Sequence, residues 1–82
     1  MKDAKIYREA GIRIHGLRDQ YGLTREEMSE LVGITSKCIY EIETGRKGFS
    51  AGVLLKIATA FKVDCDYIMT GRRLGLMCNI KS

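Results

Sequence analysis

Proline is absent from the sequence, and histidine occurs only at His15. The absence of proline argues against a scaffold built mainly from loops. Long hydrophobic runs are also missing, since none is longer than Val53-Leu54-Leu55. This excludes a membrane span and the core of a secretory signal, so we expect a cytoplasmic protein.

Cysteine is sparse, and its spacing suggests no crosslink. Cys38, Cys65 and Cys78 are odd in number and form no CxxC pair, so reduced thiols are expected rather than disulfides. With a single histidine and no ligand pairs at metal spacing, the sequence predicts no zinc site and no cofactor. We also expect no enzymatic activity, because the sequence shows no nucleophile–base pair and no glycine-rich phosphate loop.

The composition is that of one folded domain. The chain has 82 residues, of which 45% are hydrophobic and 29% are charged. Its net charge of +4 is unevenly distributed, since residues 1–23 carry +2, residues 24–47 carry −1 and residues 48–82 carry +3. A mild basic excess is compatible with a polyanionic partner, although the middle segment is slightly acidic.

Four segments share a pattern that is typical of helix starts. In each, an apolar residue precedes a Thr, Ser or Asp, and a second apolar residue follows that cap by four positions, which is a hydrophobic staple. The cap residues are Thr24, Thr35, Ser50 and Asp64. Thr24 also has Glu27 three positions later, which completes a capping box. The glycines expected at helix ends are Gly22, Gly33, Gly45 and Gly71.

These signals predict an all-α, compact five-helix bundle. The first helix has no clear cap and is indicated by an apolar face at helical spacing, formed by Ile6, Ala10, Ile14, Leu17 and Tyr21. The predicted helices cover about 5–21, 25–32, 36–44, 51–62 and 65–70. The predicted core consists of Ile14, Leu17, Leu23, Met28, Leu31, Val32, Ile34, Ile39, Ile42, Leu54, Ile57, Ala58, Phe61 and Ile68.

The C-terminal tail, residues 72–82, has a different pattern. Leu74, Leu76, Cys78 and Ile80 alternate with other residues, and this period of two indicates a strand. A single strand needs a partner, and a second copy of the chain would supply one. A disordered tail is the alternative. We therefore divide the chain into a domain at 1–71 and a possible dimerisation segment at 72–82.

The predicted helices at 25–32 and 36–44 are separated only by Gly33-Ile34-Thr35, which is the layout of a helix-turn-helix. The stretch 34–45, which contains the second of them, has one apolar face, formed by Ile34, Cys38, Ile39 and Ile42. Its opposite face carries Ser36, Lys37, Tyr40, Glu41 and Thr44. A short helix with such a polar stripe fits the DNA major groove, which is about 12 Å wide.

Residues 12–71 resemble the Cro/cI-type (XRE) helix-turn-helix family. The resemblance lies in LRDQYGLTREEMSELVGIT, IYEIETGRK and LLKIATAFKVDCDYIMTG. It implies a lambda-repressor-like fold, double-stranded DNA as the partner, and a small repressor-like transcriptional regulator that acts as a homodimer. The DNA-binding residues it implies by position are Arg25, Thr35, Ser36, Lys37, Tyr40, Glu41, Thr44, Arg46 and Lys47.

The resemblance also suggests how individual side chains act. Lys37 is suited to guanine O6 and N7, Glu41 to cytosine N4, and Tyr40 to a thymine methyl or a phosphate. A structural ion pair is implied between Arg18 and Glu43. The family usually has glutamine where this chain has Arg25, and asparagine is commoner than threonine at position 44. Tyr40 and Glu41 are unusual as base-reading residues, so the base preference does not transfer.

Two alternatives remain open at this stage. Lys37, Arg46 and Lys47 are suited to DNA contacts, and the phosphates in particular would be bound by Arg25, Arg46 and Lys47. The alternative is that these residues are ordinary surface charges of solvated helices. The same scaffold also serves as a protein-interaction module, such as an antitoxin or anti-repressor. The slight acidity of residues 24–47 is compatible with that second function.

Overall fold

The computed structural model describes residues 2–72, with side chains from residue 4 onward. It confirms the all-α prediction, since this part of the chain contains five helices and no strand. The helices are α1 (Lys2–Gln20), α2 (Arg25–Val32), α3 (Ser36–Glu43), α4 (Ala51–Phe61) and α5 (Cys65–Thr70). None of them combines the length and apolar character needed to cross a bilayer. The strand predicted in the tail lies, apart from Arg72, outside the described residues.

The N-terminal caps explain why α2, α3 and α4 begin where they were predicted. The Thr24 hydroxyl accepts from the Glu27 backbone N–H at 3.0 Å, and the Glu27 carboxylate accepts from the Thr24 N–H at 2.8 Å. Thr35 and Ser50 cap α3 and α4 in the same way. At α5 the predicted cap differs, because Asp64 has the extended N-cap backbone but makes no side-chain cap hydrogen bond.

The four glycines predicted at helix ends are all left-handed, with φ between 68° and 87°. The end of α4 was placed one residue too late, because its left-handed residue is Lys62, at φ 56°, rather than a glycine. The start of α1 was placed at residue 5 instead of Lys2. Since no cap signal precedes α1, only its apolar face indicated where it begins, and that face does not mark the first turn.

The core lies between α1, α3, α4 and α5, with α2 closing one side. Its buried apolar side chains are Ala10, Ile14, Leu17, Met28, Val32, Ile39, Ile42, Ile57, Ala58, Phe61 and Ile68. Three predicted core residues, Leu23, Ile34 and Leu54, are only partly buried against it. The prediction is wrong for Leu31, which is 54% exposed. Met28 and Val32 form the buried stripe of α2, and Leu31 lies at its edge.

The ends of the predicted apolar face of α1 are also exposed. Ile6 is 42% exposed because it lies in the first turns of α1, before the core begins. Tyr21 is 55% exposed because it follows the last residue of the helix. The Tyr21 ring still packs edge-on against Phe61 at 5.1 Å, and its hydroxyl donates to the Phe61 carbonyl at 3.2 Å.

Helix α3 packs against both α1 and α2, and this positions its outer face. The contact with α1 is closest at Gly11, where a Cβ atom would lie 2.1 Å from the Ile42 carbonyl oxygen. Only glycine permits the two backbones to approach so closely. No sequence pattern indicated this contact, because it depends on two positions far apart in the chain.

Candidate nucleic-acid interface

The turn between α2 and α3 fixes how α3 projects from the domain. Gly33 ends α2 with φ 87°, and Thr35 caps α3 by accepting from the Cys38 N–H at 3.0 Å. Behind α3, Ile39 and Ile42 are each 1% exposed, and Cys38 is partly buried. This confirms the amphipathic pattern that the sequence predicted for α3. The face that remains outside carries the polar side chains.

The structure brings four of the nine predicted DNA-binding residues together in one place, namely Arg25, Ser36, Lys37 and Tyr40. An open depression lies where the N-terminal ends of α2 and α3 meet. It is lined by Arg18, Thr24, Arg25, Glu26, Ser36, Lys37 and Tyr40. Helix N-termini present unpaired backbone N–H groups and a partial positive charge, which favours phosphate.

Tyr40 forms the centre of a cationic cluster. The guanidinium carbon of Arg25 lies 5.1 Å from the Tyr40 ring centroid, and that of Arg46 lies 5.8 Å away. These are cation–π distances, so the ring holds side chains that come from α2 and from the segment after α3. Two positive charges therefore lie over one aromatic ring on the outer face of α3.

The remaining predicted residues are partly engaged within the protein. Lys47 Nζ lies 3.4 Å from Glu41 Oε1, so this carboxylate is already paired with a cation. The Thr44 hydroxyl donates to the Tyr40 carbonyl at 2.8 Å and so satisfies the C-terminal end of α3. Lys37 is exposed, and no described carboxylate pairs with it. Lys37, which is the only cation of α3 itself, is therefore available to a partner outside the domain.

Behind this face, Glu43 and Arg18 form a buried ion pair. Arg18 Nε donates to Glu43 Oε2 at 2.7 Å, and the side chains are 10% and 1% exposed. Arg18 also donates to the Leu23 carbonyl at 2.8 Å, which ties α1 to the start of the helix-turn-helix. Arg25 Nε donates to Glu43 Oε1 at 3.1 Å, and His15 Nδ1 lies 3.3 Å from the same oxygen.

These contacts set the charge state of the pair. Burial alone raises the pKa of the Glu43 carboxyl, but the hydrogen bonds from Arg18, His15 and Arg25 outweigh it, so its pKa lies below the ordinary value. The hydrogen bond with Glu43 raises the pKa of Arg18. Both side chains are therefore charged at neutral pH.

The lowered pKa of Glu43 makes the fold sensitive to acid. Because the unfolded chain binds a proton here more readily, the stabilisation is complete above the ordinary pKa of 4.5 and is lost as pH falls through the lower, folded-state pKa. We expect urea midpoints to fall more between pH 5 and about 3 for the parent than for an Arg18→Met/Glu43→Leu variant. Equal falls in the two proteins would show that other carboxylates control the acid response.

Neither a metal site nor a disulfide is formed by the described side chains. No group of three or more His, Cys, Asp or Glu residues there is arranged to hold a metal ion. Cys38 and Cys65 are both free thiols. Cys78, in the tail, lies outside the described residues.

The tight turn, the supported second helix and its polar outer face define a helix-turn-helix protein. The sequence model of a family described as a helix-turn-helix domain matches residues 11–74. The chain belongs to this family, which is of the Cro/cI (XRE) type. Membership indicates DNA binding and a regulatory role, and the family is typically not enzymatic. A comparison with curated proteins found no match.

Several contacts at the site were missed by sequence reasoning. Nothing in the spacing indicated that His15 and Arg25 would join Glu43, since the residues come from three different helices. The His15 ring is 46% exposed and lies beside that carboxylate. The stacking of Arg25 and Arg46 on Tyr40 was also unforeseen, because it depends on the end of α3 turning back towards α2.

Proposed function

We propose that the protein is a sequence-specific regulator of transcription, repressor-like, which inserts α3 into the major groove of double-stranded DNA. The observation that carries this proposal is the exposed polar face of α3. Lys37 and Tyr40 project from a helix that is held from behind by its buried Ile39 and Ile42. Lys37 is exposed, and Tyr40 is 40% exposed although the Arg25 and Arg46 guanidinium groups lie over its ring.

We assign base contacts to the first turns of α3. Lys37 is the candidate for guanine, and Ser36 beside it is short enough to bond to either base of a pair. Tyr40 presents its ring edge to a thymine methyl or its hydroxyl to a phosphate. Glu41 remains a candidate for cytosine N4, provided that Lys47 releases it on binding.

Phosphate contacts are assigned to the side chains around that face. Arg25 and Arg46 flank Tyr40, where each guanidinium group is able to bond two phosphate oxygens. Lys47 adds a third cation. Thr35 and Thr44 lie at the two ends of α3, and their hydroxyls are engaged with the helix backbone. We therefore expect these two threonines to support the helix and to contribute less to binding.

A homodimer is part of this proposal. One helix-turn-helix reads few base pairs, whereas two copies place their reading helices about 34–36 Å apart along one face of the duplex. The tail at 72–82 is our candidate for the contact between copies, and residues 1–71 for the DNA-binding domain. We expect truncation after Gly71 to halve the mass measured by light scattering, and an unchanged mass would exclude the tail as the contact.

The alternative is a protein-interaction module on the same scaffold. It is favoured by the net charge of −1 over residues 24–47, which places extra carboxylates on the motif itself. The two functions differ in their dependence on salt, because a protein that neutralises phosphates releases counterions from the DNA. Salt dependence therefore separates them without knowledge of the operator.

The test is a fluorescence-anisotropy titration of a labelled duplex of arbitrary sequence at about 50 and 200 mM salt. Since each neutralised phosphate contributes about −0.9 to the slope of log affinity against log salt, these three cations contribute about −2.7 per protomer. That corresponds to roughly a 40-fold loss of affinity per protomer over this range. An absence of binding at the lower salt concentration would reject the proposal and favour the protein-interaction module.

A further inference from the structure

The family match begins at Gly11, whereas α1 begins at Lys2. The first turns of α1 therefore precede the region that the family defines. These turns pack against the segment that joins α3 to α4, which we call the α3–α4 connection (residues 44–50). This segment carries Arg46 and Lys47, two of the proposed phosphate contacts.

Two side chains of the early α1 turns make the contact. The Tyr7 ring packs edge-on against Phe49, with centroids 5.0 Å apart. The same ring covers Gly48, where a Cβ atom would lie 2.8 Å from Tyr7 Cε2. The aromatic pair and the glycine thus anchor the start of α1 on the α3–α4 connection.

Arg8 lies against the other end of the connection. A Cβ atom on Gly45 would lie 3.1 Å from Arg8 Cγ and 3.2 Å from Arg8 Cα. Gly45 also has φ 76°, so the backbone conformation and the close approach of Arg8 both favour glycine there. The Arg8 stem therefore crosses the chain immediately before Arg46.

The positive charge of Arg8 has no counter-charge among the described residues. Arg8 is exposed, and no described carboxylate forms an ion pair with it. The two cations that follow Gly45 in the chain are engaged differently, because Lys47 is paired with Glu41 and the Arg46 guanidinium lies over the Tyr40 ring. An exposed guanidinium whose stem lies against Gly45, the residue before Arg46 and Lys47, has the chemistry of a phosphate contact.

We propose that Arg8 binds a DNA backbone phosphate, so that α1 extends the phosphate-contacting surface of Arg46 and Lys47 beyond the helix-turn-helix. Tyr7 acts as the positioning residue, since its ring fixes α1 to the connection through Phe49 and Gly48. This inference rests on the proposed DNA-binding function. It concerns affinity for the DNA backbone, whereas base contacts are assigned to α3.

The experiment compares Arg8→Gln with Lys56→Gln in the full chain. Glutamine removes the charge of Arg8 but keeps most of the aliphatic stem that lies against Gly45. Lys56 is the matched control because it is also exposed but lies on α4, beside Leu31 and Leu55 in a groove between α2 and α4. Both variants lose one positive charge and therefore change the long-range field equally.

Anisotropy titrations of a labelled duplex between about 50 and 200 mM salt measure the salt slope of each variant. For Arg8→Gln we expect a slope smaller by about 0.9 per protomer, so that the salt-induced loss of affinity is roughly 3.5-fold smaller than in the parent. Lys56→Gln should keep the parental slope, and Arg8→Lys should retain it as well. Circular dichroism melting verifies that each variant is folded.

The outcomes separate this inference from the proposal on which it rests. A parental slope for Arg8→Gln, in a protein that binds DNA, would overturn the role of Arg8 alone. A slope reduced equally in Arg8→Gln and Lys56→Gln would also overturn it, because the effect would then be one of net charge. Failure of the parent itself to bind duplex DNA would overturn the proposed function.

Discussion

Glu43→Ala is expected to unfold a large fraction of the protein or to lower its thermal midpoint by more than about 10 °C. In a domain of this size, each kcal/mol of lost stability lowers the midpoint by about 4–8 °C. The substitution leaves Arg18 buried without a counter-charge, and breaking a buried pair in this way costs about 3–5 kcal/mol. It also removes the shared acceptor of Arg25 and His15. A small domain has only about 5–15 kcal/mol of stability in total.

Glu41→Ala is the matched control for that experiment. Glu41 lies on the same helix and also forms an ion pair, with Lys47 at 3.4 Å, but the two side chains are 28% and 48% exposed. A pair of this kind contributes about 0–1 kcal/mol. Chemical denaturation of both variants measures the difference. Similar small losses would show that the Glu43 cluster is not what holds α1 to α3.

A double replacement distinguishes the loss of the whole ion pair from the loss of one partner. Arg18→Met with Glu43→Leu removes both charges and fills the space with apolar groups, which in buried pairs is often neutral or stabilising. We expect this variant to recover most of the stability that Glu43→Ala loses. Failure to recover it would show that the hydrogen bond from Arg18 to the Leu23 carbonyl is the more important contact.

Gly11→Ala is the second substitution with a large expected effect. Its methyl group would lie 2.1 Å from the Ile42 carbonyl oxygen, so α1 and α3 must separate. Overpacking of this kind costs about 1–3 kcal/mol or more, against a gain of about 1 kcal/mol in helix propensity. We expect a net loss of stability and weaker DNA binding, because α3 would lose its support.

Gly16→Ala makes the same chemical change five residues further along α1. Apart from its chain neighbours and the backbone of its own helix, no described atom lies within 4 Å of the Cβ position there, so only the helix propensity changes. We expect stabilisation by about 0.5–1 kcal/mol. Thermal melts of the two variants should therefore move in opposite directions. Stabilisation by both substitutions would contradict the close contact between α1 and α3.

The sequence predicted those features of the fold that are encoded locally. The staple and capping box around Thr24, and the left-handed glycine at position 33, lie within a few residues of the ends they define. The boundaries of α2 were predicted correctly for this reason. The start of α1 and the end of α4 were not, since Lys2 has no cap signal and Lys62 takes a conformation usually reserved for glycine.

The sequence predicted only some of the features that depend on residues far apart in the chain. Periodicity placed Leu31 in the core, but periodicity alone does not resolve the edge of an apolar stripe. The ion-pair partners Arg18 and Glu43 came from the family resemblance. The closure of that cluster by Arg25 and the packing of Tyr7 on Phe49 depend on how the helices are arranged, and no local pattern encodes that.

The central claim is that the exposed face of α3 reads base pairs. Selection of bound duplexes from a random pool tests this claim most directly. We expect the parent to enrich a defined motif. Lys37→Ala should remain folded, bind that motif more weakly by about 1–3 kcal/mol, and enrich a motif with a relaxed base at one position. Enrichment of the same motif with the same affinity by parent and variant, or no enrichment by the parent, would contradict the account.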